Sequence, residues 1–302
     1  ATMRLDAKGN IIIGTGVTEQ GQGADAVVFQ CAATALGVSM DKIRVITGDT
    51  DITPYGGGTW GSRAAGIGGE AAVQAGKALR ANILKLAGVM LQSDSATLDI
   101  RENNVVDASD GRERISLAEV GRVAYYRPDT LPKDFQSELV VTRHYVPKAF
   151  PFAFTNGVQA SYLEVDTETG IIKLLDHWMV EDCGTVINPQ LVDEQVRGGI
   201  VQGLGGALFE ECLYSSDGQF LNGSMADYLV PMAAEMPDIK VGHVESPTAD
   251  SELGAKGAGE AGTAGAPAAV MNAVNDALKP LGTKVTRQPF TPQRVLEALG
   301  KV

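Results

Sequence analysis

The sequence predicts an α+β protein built as two packed α+β subdomains of roughly equal size, about residues 1–150 and 151–302. Three observations predict it. Strand-like and helix-like segments alternate along all 302 residues, but without the strict strand–helix–strand repeat of a doubly wound sheet. Hydrophobic content is 44%, enough for a core, and no low-complexity tract interrupts it. The 36 glycines sit in segments of mixed composition, which points to loops packed close to something rather than to disorder.

Taken in order, residues 10–18 (NIIIGTGVT) are β-branched and read as a strand. The turn Gly21, Gln22, Gly23 follows. Residues 24–36 have helical spacing of Val27, Val28, Cys31, Ala32, Ala35 and Leu36, and Gly37 suits the position just past a helix end. Residues 42–47 alternate as a strand does, and 48–63 show no periodicity and read as loop. Residues 64–91 predict a long helix, with Gly76 and Gly88 as places where it could bend. A hairpin is expected over 97–106, around Glu102, Asn103 and Asn104. Ser116 suits the cap of a helix over 117–125, with Glu119 in the capping-box position. The polar, proline-punctuated residues 127–151 are expected to cross between the subdomains.

Strands are expected at 138–145, 157–166 and 171–180, the last two joined at the hairpin turn 167–170, where Gly170 supplies a left-handed residue. Asn188 and Pro189 open a helix whose apolar body is 191–209. That body carries Gly198, Gly199, Gly203, Gly205 and Gly206. An interior glycine costs about 0.5–1 kcal/mol against alanine, so close packing against a backbone or a cofactor is expected to offset it. Asp217-Gly218 is a turn, 238–245 a strand, and 292–299 a helix capped by Thr291. In 251–276, a glycine- and alanine-rich loop runs into an apolar helix whose first turn suits Pro267.

Composition excludes several classes. A formal net charge of −12 argues against nucleic-acid binding and against an anionic membrane surface. Three cysteines with no CxxC pair indicate neither a disulfide framework nor a zinc or iron–sulfur site, and a reducing cytoplasm is the natural reading. No apolar run reaches the roughly 20 residues of a membrane span. No signal peptide is read, and the start, ATMRLDAKGN, lacks an initiator Met and enters a strand almost at once, so a processed product or a piece of something longer is expected.

Four glycine-rich places are candidates for chemistry. Gly21, Gln22 and Gly23 lie between a strand and a helix start, where unpaired N–H groups attract anions and a glutamine amide suits a heterocycle edge; an ordinary tight turn is the alternative. Residues 56–63 offer backbone amides, the Thr59 and Ser62 hydroxyls, Trp60, Gly61 and the Arg63 guanidinium, which are the parts of a phosphate cradle; no Gly-Lys-Ser/Thr follows, so this is not a P-loop. Gln195 and Gln202 lie seven residues apart on one helix face, either as ligand contacts or as satisfied core amides. Gly257 and Gly259 approach Glu260, and Gly262 and Gly265 follow it. A carboxylate buried beside an apolar or anionic group has a raised pKa and can act as a general base; a solvated glutamate on a flexible loop is the alternative. The three histidines, His144, His177 and His243, show no HExxH and no paired spacing; no GxSxG or GxGxxG is present. Asp25, Asp49, Asp51 and Asp182 read as solvated loop acids.

Five segments in fixed order carry a resemblance: TEQGQGADAVVFQCAATALG (18–37), GDTDITPYGGGTWGSR (48–63), EDCGTVINPQLVDEQVRGGIVQGLGGALFEE (181–211), MADYLVPMAAEMP (225–237) and ELGAKGAGEAG (252–262). Together they resemble the molybdenum hydroxylases, the xanthine dehydrogenase and aldehyde oxidoreductase family, over residues 12–299, and within that family the C-terminal half of the molybdopterin-binding subunit. The resemblance implies a molybdenum cofactor-binding domain holding a molybdenum–dithiolene pterin, with no protein ligand to the metal. Gln22, between Gly21 and Gly23, would bond the pterin region. Thr59, Trp60, Gly61, Ser62 and Arg63 would hold pterin and diphosphate. Gln202, with Gln195 on the same face, would contact the cofactor. Gly257, Ala258 and Gly259 would lie against the metal site, and Glu260 matches the family's active-site glutamate. The cytosine dinucleotide form of molybdopterin is expected.

The implied chemistry is oxidative hydroxylation of an N-heterocycle or aldehyde with water as oxygen source, Glu260 taking the proton and electrons leaving through iron–sulfur centres. The family's N-terminal half, iron–sulfur cysteines and flavin domain are not in this sequence. Partner chains are therefore expected: a second molybdopterin-binding chain, an Fe–S subunit and an FAD subunit. Some family members, nicotinate dehydrogenase among them, divide the molybdenum subunit this way. A non-catalytic scaffold subunit and an unrelated nucleotide-binding enzyme are the competing readings.

Overall fold

The computed structural model describes residues 1–147 and 154–302. The chain divides into two compact units, Ala1–Ala153 with Pro247–Lys256, and Phe154–Ser246 with Gly257–Val302. The end of the expected crossing segment, residues 148–151, lies outside the described residues.

In the first unit, β1 (Thr2–Leu5) pairs antiparallel with β2 (Ile11–Gly14), which pairs parallel with β3 (Ile43–Ile46). Met3, Leu5, Ile11 and Ile13 are fully buried, so alternation of side chains puts one face of this sheet into the core. α1 (Ala24–Leu36) ends where the sequence predicts, with Gly37 at φ 79° and its N–H on the Ala33 carbonyl. The expected long helix instead opens with a π-helical stretch, Ala64–Gly69, before α2 (Glu70–Leu91), which runs unbroken through Gly76 and Gly88. Gly76 serves packing rather than bending, since a Cβ there would stand 2.8 Å from Cβ of Ala35 on α1.

A hairpin, β4 (Leu98–Arg101) and β5 (Asn104–Asp107), turns at Glu102 and Asn103, both with positive φ (44° and 71°). β6 (Glu113–Ser116) adds a third antiparallel strand that the sequence pattern does not announce. α3 (Leu117–Tyr126) is capped as expected by Ser116 Oγ, which accepts the Glu119 N–H at 3.2 Å. Glu119 turns its carboxylate onto Arg122 rather than back to the cap. β7 (Val140–Thr142) completes the first sheet in the order β3-β2-β1-β7.

In the second unit, β8 (Asn156–Val165) and β9 (Ile172–Asp182) form the predicted hairpin. Beyond α4 (Pro189–Leu208), β10 (Lys240–His243) joins β9 in parallel, giving the order β10-β9-β8. α5 (Ala261–Leu278) and α6 (Pro292–Ala298) follow. Val196, Ile200 and Leu204 of α4 are fully buried with Ala266, Val270 and Val274 of α5. Each of the Val, Ile and Leu side chains among them contributes roughly 1.5–3 kcal/mol.

The glycines of α4 have two fates. Gly199 and Gly203 face α5, where a Cβ on Gly262 would collide with the Val196 carbonyl and the Ile200 amide. Gly198 and Gly206 have open space beside them. The offset expected for α4 is thus close packing against α5 at Gly199 and Gly203, while the buried Gly205 makes room for the Glu210 and Pro231 side chains. α5 starts six residues earlier than Pro267 suggests, and Pro267 lies inside the helix. Lacking an N–H, it cannot serve the Thr263 carbonyl one turn back. Gly203 of α4 packs against that carbonyl, a Cβ there standing 2.8 Å from it.

Candidate functional site

Glu260 is the residue just before α5, at φ −99° and ψ 5°. This is the bridge region, which holds the third residue of type I turns and many active-site residues. The turn is closed by the Ala261 N–H on the Ala258 carbonyl at 3.3 Å, so Ala258 and Gly259 deliver the carboxylate. Gln195 of α4 anchors it, its Nε2 donating to the Gly259 carbonyl at 2.9 Å. On the other side, Gln159 of β8 donates to the Gly262 carbonyl at 2.8 Å. The side chain of Glu260 is exposed on this chain, and so is Gln202, whereas Gly257 is buried and Gln195 half-buried. Of the two glutamines on this helix face, Gln195 supports the Glu260 turn, and Gln202 is exposed on this chain.

The first unit brings the other two candidate segments together. Gly16 and Gly56 touch backbone to backbone, each so close that a Cβ on one would strike the other. The Thr59 hydroxyl accepts from the Thr18 amide at 2.9 Å and donates to the Thr18 carbonyl at 2.8 Å, and Gln20 Nε2 donates to the Thr59 carbonyl at 3.1 Å. Residues 57 and 58, and again 61 and 62, have positive φ, which folds the loop back on itself. Trp60 donates its indole N–H to the Gly57 carbonyl at 2.9 Å, and the Arg63 guanidinium lies 5.4 Å from the Trp60 ring.

The helix start at Gly21–Gly23 is already filled. Glu19 Oε1 accepts from the amides of Gln20, Gly21 and Gly23, and Oε2 from that of Asp25. The anion that the sequence reading places there from outside is Glu19 itself. Burial would raise its pKa, but the four backbone donors outweigh burial and hold the carboxyl below its ordinary range. Gln22 folds inward, its Oε1 taking the Gln20 amide at 2.6 Å and its Nε2 giving to the Thr18 carbonyl at 3.1 Å. Each end keeps a second hydrogen-bonding valence. Asp25 is no solvated loop acid: it sits in the first turn of α1 with a buried Oδ1 that has no hydrogen-bond partner.

Three further residues escape a local reading. Glu70 is buried, accepting from Gln74 Nε2 and, at 2.9 Å, from the Leu253 amide, which ties the segment leading to Glu260 onto α2. A lone acid in an alanine- and glycine-rich helix start is the signal that could have found it. His243 lies between two carboxylates, Nδ1 at 2.5 Å from Glu181 and Nε2 at 2.5 Å from Asp193. His177 is fully buried on β9. Burial pushes the thiols of Cys31 and Cys183 up to about 12, so neither is a nucleophile. Among the described residues no group of three His, Cys, Asp or Glu could hold a metal ion, and no helix is long and apolar enough to cross a membrane.

An α+β chain in which two glycine loops are stitched together and an acid stands at a helix start has known relatives. The model of the molybdopterin cofactor-binding domain family matches residues 1–237, and the chain belongs to that family. It is 37% identical to the nicotine 6-hydroxylase large subunit of Paenarthrobacter nicotinovorans, over 99% of this chain and 36% of the relative. It is 30% identical to the carbon monoxide dehydrogenase large chain of Hydrogenophaga pseudoflava, over 98% of this chain and 36% of the relative. The crystal structure of quinoline 2-oxidoreductase from Pseudomonas putida 86 superposes on 99% of this chain and 38% of its own, with a TM-score of 0.90 at 35% identity. The chain thus spans little more than a third of each. The resemblance drawn from the five segments and the α+β fold of the cofactor-binding domain both hold.

The residues present fit such a group. Arg63 is half-buried and forms no ion pair among the described residues, its one polar contact being the Gly58 carbonyl at 3.4 Å. A cation so placed suits a diphosphate. The partnerless Asp25 Oδ1, beside the Gln22 turn, suits a donor such as a pterin N–H.

Proposed function

We propose that this chain is the molybdopterin-binding part of a molybdenum hydroxylase, and that Glu260 is its general base. The observation that carries this is the Glu260 turn: a carboxylate in the bridge region, with the carbonyls before and after it held by Gln195 and Gln159. Two of the relatives are named for nicotine and quinoline, both N-heteroaromatic, which favours an N-heterocycle over an aldehyde as substrate.

The cofactor is molybdopterin in its cytosine dinucleotide form. Arg63 and Ser62, with the backbone of Gly61 and the face of Trp60, would hold the diphosphate and pterin on a loop that Thr59 pins to Thr18; Gln22, in the Gly21–Gly23 turn, would bond the pterin edge; Gly257, Ala258 and Gly259 would let backbone approach the metal end. When bound, the group supplies the two-electron redox centre at which an oxygen from water reaches a substrate carbon. Glu260 accepts the proton released as that oxygen is committed. Its exposure on this chain is consistent with cover supplied by the ligand and a second polypeptide.

In the assembled enzyme, Glu260→Gln should lower turnover by about 10²–10⁴-fold, the usual worth of a general base, with molybdenum content unchanged. Acid hydrolysis of the same preparation should release CMP. Full turnover in the variant removes Glu260 from the mechanism. Molybdenum absent from active wild-type preparations would favour the scaffold reading, and AMP or GMP in place of CMP would overturn the cytosine form.

A further inference from the structure

The first turn of α5 is weak helix held from outside. Its sequence, Ala261-Gly262-Thr263-Ala264-Gly265, contains two glycines, each about 1 kcal/mol less favourable than alanine in a helix. Gln159 reaches it from β8, its Nε2 donating to the Gly262 carbonyl at 2.8 Å and to the Ala261 carbonyl at 3.4 Å. These are the two residues that follow Glu260. Gly265 makes room for the amide, for a Cβ there would stand 2.9 Å from Gln159 Nε2.

Gln159 is itself oriented. Its Nε2 faces carbonyls, so Oε1 is the end that meets His177 Nε2, at 3.0 Å, and it accepts that N–H. His177 Nδ1 is then an acceptor and takes the Ser161 hydroxyl proton at 2.9 Å. The chain of donors runs one way: Ser161 to His177, His177 to Gln159, Gln159 to the start of α5. It works only with a neutral imidazole, and burial lowers the His177 pKa to about 4. Were the amide to flip, Oε1 would face two carbonyl oxygens and repel them.

We propose that Gln159 is a positioning residue for Glu260, its amide locked by His177 and Ser161, so that this network sets where the Glu260 carboxylate stands. The proposal rests on the reading of Glu260 as the base.

The test uses the assembled holoenzyme and two readouts. Gln159→Glu keeps the shape but removes the donor. It should lower kcat about 10-fold with KM within about 2-fold and molybdenum content unchanged, and speed hydrogen exchange at least 10-fold in peptides covering residues 261–266, with exchange elsewhere unaltered. Ser161→Ala, which frees the far end of the network, should lower kcat about 2–3-fold, and Ser161→Thr, which keeps the hydroxyl, should restore it. In a Glu260→Gln background, Gln159→Glu should give no further loss. Wild-type kcat in Gln159→Glu, or unchanged exchange at 261–266, overturns the proposal. If Gln159→Glu fails to assemble, an unaltered kcat in Ser161→Ala overturns it instead. Should Glu260→Gln alone keep full turnover, the base assignment fails, and the exchange result still decides whether Gln159 holds the turn.

Discussion

Glu19 gathers four backbone N–H donors at the start of α1, and the whole Gln22 turn is wrapped around it. Its folded pKa is depressed, so the stability it contributes is present above the ordinary glutamate range and is lost as pH falls through the folded value. Glu19→Ala should lower stability by about 1 kcal/mol at pH 7, the worth of a helix cap, and by much less in acid; urea unfolding at both pH values checks this. Equal losses at both would show that the carboxylate charge is not what holds the turn. The two kinds of residue also explain what the sequence discloses. Glu260, Gln22 and Arg63 stand out in the sequence as candidates because a glycine-rich loop is a local pattern. Gln159 is not, because it meets its partners 102 and 103 residues away, and nothing in its own neighbourhood marks it. Glu19 lies in plain view two residues before Gly21, yet a helix start reads equally as waiting for a ligand or as already capped.

His243 joins β10, β9 and α4 through the Glu181 and Asp193 carboxylates. Burial alone would lower its pKa, but the hydrogen bonds to Asp193 and Glu181 outweigh burial and raise it. A raised histidine stabilises the fold fully below its ordinary pKa of 6.5 and loses that contribution as pH rises through the folded value. His177 has the opposite sign: the native fold refuses a proton that the unfolded chain accepts, so stability falls as pH drops from 6.5 toward about 4. His243→Gln should therefore lower the melting temperature more at pH 6 than at pH 9. A gap that stays constant across that range would contradict the ion-pair account. At this scale the sequence reads turns well and irregular geometry badly. The β4–β5 hairpin follows from Glu102 and Asn103, while β6, with two charges in ERIS, lacks an alternating pattern. The π-helical entry to α2 differs from the 3.6-residue period only over Ala64–Gly69, too short a stretch to show in the apolar spacing.

The whole chain covers 36% of the length of the nicotine 6-hydroxylase and carbon monoxide dehydrogenase relatives, so turnover is expected to need more polypeptide than this. Isolated from cells of its source with gentle lysis, the chain should bring with it a second molybdopterin-binding chain, or that half as part of one longer polypeptide, together with Fe–S and FAD subunits. A preparation with one molybdenum per chain, full turnover and no other polypeptide would refute this.

The first unit is interrupted. Its last segment, Pro247–Lys256, follows Phe154–Ser246 of the second unit, and it is this segment that gives Glu70 the Leu253 amide. A ribosome therefore releases most of the first unit long before its final piece exists. Until residue 253 emerges, the Glu70 carboxylate lacks a donor it has in the finished fold. Residue 253 leaves the ribosome only seven residues before Glu260, so the strap of the first unit and the loop bearing Glu260 are made at nearly the same moment.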